Sequence, residues 1–223
     1  MPVNGLGQKI GLVILIFSSI RLIPHIILFL FVDKNGFLKK DVARWAEITR
    51  LTKRQSKFQT LIAFIRLMTF LPEFRNLFYY RCGLKSKIFL FLCPRKSSLY
   101  IGANYIGPGL FIQHGDCCLV QADMIGSDCW INQQVTIGYS TPVVSRLPII
   151  GNNVRIAAGA KVLGDVRIGD NSVIGPNTVV IEDVPPNVTL IGVPGKIIWR
   201  TNATNSSAKP PNSAPEKLLA QKQ

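Results

Sequence analysis

The sequence has 223 residues, of which 48% are hydrophobic and 17% are charged, so it is too apolar to be disordered throughout. Its net charge is +14, and residues 1–100 hold 17 of the 26 Lys and Arg residues but 4 of the 12 Asp and Glu residues. The five cysteines include no CxxC pair, which excludes a disulfide framework and a zinc site and favours reduced thiols in a cytoplasmic protein.

Residues 1–35 form a basic, hydrophobic segment. Residues 10–32 (IGLVILIFSSIRLIPHIILFLFV) give 23 residues, enough for a helix that crosses a hydrocarbon core of about 30 Å. Arg21, Pro24 and His25 lie near the middle, where a charge is costly and a proline kinks the helix. We expect membrane association here and no nucleic acid partner.

Three structural interpretations of this segment remain. It is a kinked or re-entrant helix at the cytoplasmic face of the inner membrane, a true span, or a buried helix of a soluble domain. In each form His25 is expected to be a packing or interfacial residue.

Residues 36–98 are predicted to be a helical cap or linker region. An amphipathic helix begins near 39–45, and residues 58–71 form an apolar stretch that is short for a membrane span. Residues 73–92 mix aromatic and basic side chains, which suits a lipid headgroup surface or a cap over the next domain.

Residues 99–200 carry a six-residue repeat that predicts a mainly β domain. A branched aliphatic residue recurs at six successive hexad positions: Ile150, Ile156, Val162, Ile168, Ile174 and Val180. This period is the mark of a parallel β-helix, in which three short strands make one coil and the aliphatic residues stack inside. The repeat breaks between Ile137 and Ile150, which predicts a protruding loop at 139–148. Residues 201–223, rich in Asn, Ser, Pro, Ala and Lys, are predicted to be a disordered tail.

Four segments carry a family resemblance: GLFIQHG (109–115), IGSDCWINQQVTIGY (125–139), IIGNNVRIAAGAKVLGDVRIGDNSVIGPNTVVIEDVPPN (149–187) and IGVPGKI (191–197). They resemble the serine acetyltransferases and their relatives in polysaccharide gene clusters, which are hexapeptide-repeat acyltransferases. The resemblance implies a left-handed parallel β-helix, acetyl-CoA as co-substrate, no metal, and a homotrimer with acetyl-CoA in a groove between neighbouring subunits.

By that resemblance His114 is the general base, which takes the proton of an acceptor hydroxyl as the oxygen attacks the thioester. Candidates on the acceptor side are Asp116, Gln133, Gln134 and Arg146. Candidates for binding acetyl-CoA are Gly138, Tyr139, Ala158, Gly159, Lys161, Pro176 and Lys196.

Three positions depart from the family pattern. Leu99 replaces a carboxylate that orients the base, Gln113 replaces an acid used in gripping serine, and Leu147 replaces a loop histidine. In place of the missing carboxylate, we consider Asp116 or a backbone carbonyl as the group that orients His114. These departures favour a sugar hydroxyl, in a polysaccharide or glycolipid precursor, over free serine as the acceptor.

Serine acetylation is the alternative, and a non-catalytic membrane-attached scaffold is a second one. A γ-type carbonic anhydrase is excluded because it needs three histidines on zinc, and only His114 lies in the predicted β-helix. A fused sugar nucleotidyltransferase is excluded because no Gly-rich phosphate loop precedes the repeat.

Overall fold

The computed structural model of the protein describes residues 5–33, 35–51, 56–140 and 146–199. The predicted tail at 201–223 lies outside the described residues, as do positions 141–145 of the predicted loop.

The N-terminal part is helical. Its elements are α1 (Gly5–Arg21), α2 (Ile23–Val32), α3 (Phe37–Ile48), α4 (Lys57–Phe70), α5 (Pro72–Cys82) and a 3-10 helix (Gly83–Phe89). The predicted break near Pro24 is present, because α1 ends at Arg21 and the proline lies in the first turn of α2, where no backbone N–H is needed.

The hydrophobic segment is therefore bent. Within the described residues, no helix taken alone has both the length and the hydropathy of a membrane span. Val13–Arg21 and Ile23–Val32, bent by 65°, reach those values of length and composition only as a pair.

The second part is a parallel β-helix of three sheets. Sheet A contains β1 (Leu99–Ile101), β4 (Cys118–Val120), β7 (Thr136–Gly138), β10 (Lys161–Leu163) and β13 (Val179–Val180). Sheet B contains β2 (Tyr105–Ile106), β5 (Met124–Ile125), β8 (Ile149–Ile150) and β11 (Arg167–Ile168). Sheet C contains β3 (Phe111–Ile112), β6 (Trp130–Ile131), β9 (Arg155–Ile156), β12 (Val173–Ile174), β14 (Val188–Ile191) and β15 (Lys196–Trp199).

Hexad aliphatic residues fill the interior of the coils, as the repeat predicts. In sheet C, Ile112 aligns with Ile131, Ile156 and Ile174 in parallel register, and all four are at most 1% exposed. Such stacking removes large apolar surfaces from water and is the main stabilisation of a solenoid. β15 closes sheet C by pairing antiparallel with β14.

Helices α3 and α5 cover the first coil through a buried polar cluster. Asp41 binds Arg81 at 2.9 Å and accepts the backbone N–H of Gly109 at 2.6 Å. Arg81 also donates to the carbonyl oxygens of Ile106 and Gly107. Burial raises the pKa of Asp41, while Arg81 and the Gly109 N–H act in the opposite sense. The helices thus satisfy polar backbone groups that the end of the β-helix leaves unpaired.

Candidate active site

Most of the predicted site residues lie along one edge of the β-helix, where the chain passes from sheet C to sheet A. We call the corners 113–117, 132–135, 157–160 and 175–178 the His114 edge. Backbone hydrogen bonds stack the corners: Gln134 N–H donates to Asp116 O at 2.7 Å, Gly159 N–H to Gln133 O at 3.0 Å, and Asn177 N–H to Ala158 O at 2.9 Å. The edge brings together His114, Asp116, Gln133, Gln134, Ala158, Gly159 and Pro176.

The corner that carries His114 is longer than its equivalents. The inward residues Ile112 and Val120 are eight positions apart, whereas Ile131–Ile137, Ile156–Val162 and Ile174–Val180 are six apart. His114 (φ 61°) and Cys117 (φ 52°) adopt the left-handed conformation, an uncommon state for residues other than glycine. The positive φ of Cys117 recurs at the equivalent positions Gln134, Gly159 and Asn177. The two extra residues and the φ of His114 therefore distinguish this corner, and His114 is exposed.

Gly115 seats this turn against the helical part. A Cβ at this position would lie 2.9 Å from Cγ of Glu73 and 3.1 Å from Cδ2 of Leu99, so no larger residue fits without movement. Among the described residues, the exposed His114 imidazole makes no hydrogen bond, so neither Asp116 nor a backbone carbonyl orients it there.

Lys96 fixes the backbone of this turn. Its Nζ lies 2.7 Å from Glu73 Oε1, 2.9 Å from Asp116 Oδ1 and 3.4 Å from the carbonyl oxygen of His114. Partial burial alone lowers the pKa of Lys96, but the hydrogen bonds to Glu73 and Asp116 outweigh it and raise that pKa. The hydrogen bond from Lys96 lowers the pKa of Asp116, so the exposed carboxylate is ionised at neutral pH.

Sequence reasoning missed Lys96 and Glu73. The available signal is the coil length: Lys96 precedes His114 by 18 residues, which places it one coil earlier at the same edge. No such periodic signal exists for Glu73, because it comes from α5 and its contact is tertiary.

Two of the residues that depart from the family pattern, Leu99 and Gln113, have defined contacts. Leu99 is 4% exposed and packs as an apolar residue against Gly115. The Gln113 Oε1 atom accepts from Trp130 Nε1 at 3.2 Å and from Asn132 Nδ2 at 3.1 Å. Gln113 is therefore a neutral side chain, fixed by two hydrogen bonds, next to His114 in the chain.

The remaining predicted residues lie off the corners of the His114 edge. Gly138 ends β7, at the opposite side of sheet A, and the exposed Tyr139 follows it. Arg146 lies farther along the chain with its Nη1 3.5 Å from Asp165 Oδ2, and Lys196 is exposed on β15. Lys161 Nζ donates to Gln134 O at 2.8 Å and to Thr136 Oγ1 at 3.0 Å, so it is engaged with the coils next to this edge.

One feature of the His114 edge fits a polar substrate. The Oε1 atom of Gln133 is buried without a hydrogen-bond partner within the described part of the chain, so a rotation of this side chain would present an unused acceptor to a bound molecule. A Cβ on Gly138 would only touch Leu119 and Gln121, at 3.9 and 4.0 Å. Over the described residues, no group of three His, Cys, Asp or Glu side chains is placed to hold a metal ion.

Comparisons with known proteins agree with the repeat. The family model for bacterial transferase hexapeptide (six repeats) matches residues 148–182. The serine acetyltransferase of Synechococcus elongatus is 42% identical over 98 residues, which cover 43% of this chain and 40% of that protein. That of Mycobacterium tuberculosis is 43% identical over 98 residues, covering 43% of each. The matches thus span about two-fifths of the curated relatives.

Solved structures extend the similarity beyond the repeat. Serine acetyltransferase of Brucella abortus strain S19 in complex with coenzyme A has a TM-score of 0.58 and 27% identity, over 78% of this chain and 71% of that chain. Serine acetyltransferase of Neisseria gonorrhoeae in complex with serine has a TM-score of 0.58 and 25% identity, over 78% and 72%. These similarities confirm the predicted left-handed β-helix with preceding helices.

Proposed function

We propose that this protein transfers the acetyl group of acetyl-CoA to a hydroxyl group, with His114 as the general base. The observation that carries the proposal is the His114 edge, because it places the one β-helix histidine on stacked corners with six other predicted site residues. The similarity to a coenzyme A complex supports the donor. Gln133, whose Oε1 has no hydrogen-bond partner among the described residues, is the proposed substrate contact on this edge.

The chemistry needs one positioned base. The imidazole of His114 takes the proton of the acceptor hydroxyl while that oxygen bonds to the thioester carbonyl carbon. The tetrahedral intermediate then collapses, the C–S bond breaks, and the thiolate of CoA receives the proton from the imidazolium. The products are the acetyl ester and CoA, and the exposed imidazole is free to act on both molecules.

Serine is the acceptor that the named relatives favour, since they are serine acetyltransferases and one structure contains serine. A sugar hydroxyl, which the sequence predicts, is the second candidate. It is favoured by the neutral Gln113, because the ammonium group of serine has no carboxylate at that position.

Acceptor identity is tested by release of the CoA thiol with L-serine and with a panel of sugars, each at equal concentration. Efficient turnover of serine with slow turnover of sugars supports the serine interpretation, and the reverse supports the sugar interpretation. Thiol release with neither, under conditions where the folded protein binds acetyl-CoA, would favour the scaffold alternative.

Assembly and location are further parts of the proposal. Arg146, Gly138 and Tyr139 lie across sheet A from His114, which suits a site shared between neighbouring subunits of a homotrimer. The exposed apolar side chains of α1 and α2 suit attachment to the cytoplasmic face of the inner membrane. Light scattering of the purified protein and fractionation of cells test these two points.

A further inference from the structure

A cavity lies between the 3-10 helix and the first coil, apart from the exposed face of the His114 edge. It has a volume of about 730 Å³, within the range of small-molecule sites. Its lining includes Lys87, Arg95, Leu84, Leu90 and Tyr100, and it contains no Asp or Glu among the described residues.

The cationic side of this cavity is available for a ligand. Lys96 also lines it but is already paired with Glu73 and Asp116. Lys87 and Arg95 are exposed, and in the part of the chain that the structure describes neither forms an ion pair. Two cations without carboxylate partners in one concave site favour a phosphate group.

Apolar side chains are exposed at and beside the cavity. Leu84, in its lining, is 78% exposed, and Ile88 and Phe91, on and just after the same 3-10 helix, are 70% and 78% exposed. Three exposed apolar side chains within eight residues of chain favour a contact surface over ordinary protein exterior.

The exposed apolar side chains continue into the N-terminal helices. α2 packs against the 3-10 helix, with the His25 and Phe89 rings 6.0 Å apart. α1 and α2 expose Phe17 and Phe31 at 70% and 76%. The cavity therefore places two exposed cations beside exposed apolar side chains of the helical part, which is the chemistry of a lipid with an anionic head.

We propose that this cavity binds the phosphate group of an anionic lipid. Lys87 and Arg95 contact the phosphate, and Leu84 packs against the acyl chains. The site is independent of acetyl transfer, so it can be present whether or not His114 is a catalytic base. Since Lys96 lies in its wall and contacts the His114 carbonyl oxygen, the bound headgroup lies behind the catalytic turn.

The test is isothermal titration of the full chain with dihexanoyl phosphatidic acid, kept below its critical micelle concentration, and with glycerol 3-phosphate. We expect the phosphatidic acid to bind at least about tenfold more tightly than glycerol 3-phosphate. K87Q/R95Q should weaken phosphatidic acid binding at least about tenfold, and L84S should weaken it without affecting glycerol 3-phosphate.

The matched control is R155Q/R167Q, which removes the same charge from exposed positions on the β-helix. It should bind phosphatidic acid like the wild type. No binding by the wild type, equal losses in the two double variants, or equal affinity for the headgroup alone would each overturn the proposal. All of the altered side chains are exposed, and circular dichroism confirms that each variant folds.

Discussion

The ammonium group of Lys96 lies 3.4 Å from the carbonyl oxygen of His114, one coil later in the chain. The same nitrogen binds Glu73 and Asp116, so a single side chain ties the helical part to the turn that carries the proposed base. Leu99 cannot orient the imidazole through a hydrogen bond, so the position of His114 depends on the backbone of this turn. We infer that Lys96 is a positioning residue.

Replacement of Lys96 by Met should lower kcat about 10- to 100-fold with little change in KM, because small displacements of a base are costly to the reaction. Lys96→Arg should recover much of the loss, since it retains the charge and donors. Steady-state kinetics with thermal melts separate this effect from unfolding caused by the unpaired Glu73. A folded Met variant with wild-type kcat would contradict the assignment.

Cys117 should react with thiol reagents before the other four cysteines. It is exposed, whereas Cys82, Cys93, Cys118 and Cys129 are buried, and burial raises the pKa of Cys82 to about 12 and that of Cys129 to about 11. Labelling with a bulky maleimide should block acetyl transfer, because Cys117 lies three residues from His114.

Mass spectrometry of the labelled protein identifies the modified residue. Cys117→Ser should keep its activity after the same treatment. Rapid labelling of a buried cysteine in the folded protein, or full activity after Cys117 is labelled, would count against the described turn.

Asp41→Leu should destabilise the protein by roughly 3–5 kcal/mol, because it leaves Arg81 buried without its counter-charge. Asp165→Leu is the matched contrast. It breaks the exposed Arg146–Asp165 pair and should cost less than about 1 kcal/mol. Chemical denaturation of the two variants compares the free energies of unfolding, and equal losses would contradict the buried contact between helices and coil.

His25 should make stability depend on pH. Burial, with Arg21 and Arg75, lowers the pKa of His25 to about 4 from 6.5. Tyr79 Oη donates to the Cys93 carbonyl oxygen, so His25 Nε2 donates to Tyr79 over 2.7 Å. The lowered pKa keeps this imidazole neutral at pH 7. Between pH 4 and pH 6.5 the unfolded chain binds more protons than the folded protein. The stabilisation that comes from the neutral, buried His25 is therefore present above pH 6.5 and is lost as the pH falls toward 4.

The loss should amount to about 3 kcal/mol in the free energy of unfolding. Urea titrations from pH 7 to pH 4 measure it, and His25→Gln is the non-titrating comparison. The difference between the two proteins should shrink as the pH falls, and a constant difference would contradict a neutral, buried His25.

The hexad pattern predicted the β-helix well, because an inward aliphatic residue every six positions is a local requirement of the coil. The bend near Pro24 was predicted for a similar reason, since proline acts on its own turn. The pairing of Asp41 with Arg81 and the contact of Glu73 with Lys96 were not predicted. Both join distant parts of the chain, and no periodicity marks them.

Within the site, the family motifs selected His114, Gln133 and Ala158 separately, and the structure places all three on one edge. The motifs did not predict that Lys161 is held by Gln134 and Thr136, because a lysine on a strand has the same sequence signature whether it faces solvent or a neighbouring coil.

The central claim is tested by thiol release from acetyl-CoA in the presence of the best acceptor, comparing wild type, His114→Ala and the neighbouring control Cys117→Ala. General base catalysis contributes about 10²- to 10⁴-fold, so His114→Ala should lose at least 10²-fold in kcat/KM while Cys117→Ala stays near wild type. A folded His114→Ala protein that releases thiol at the wild-type rate would contradict the account.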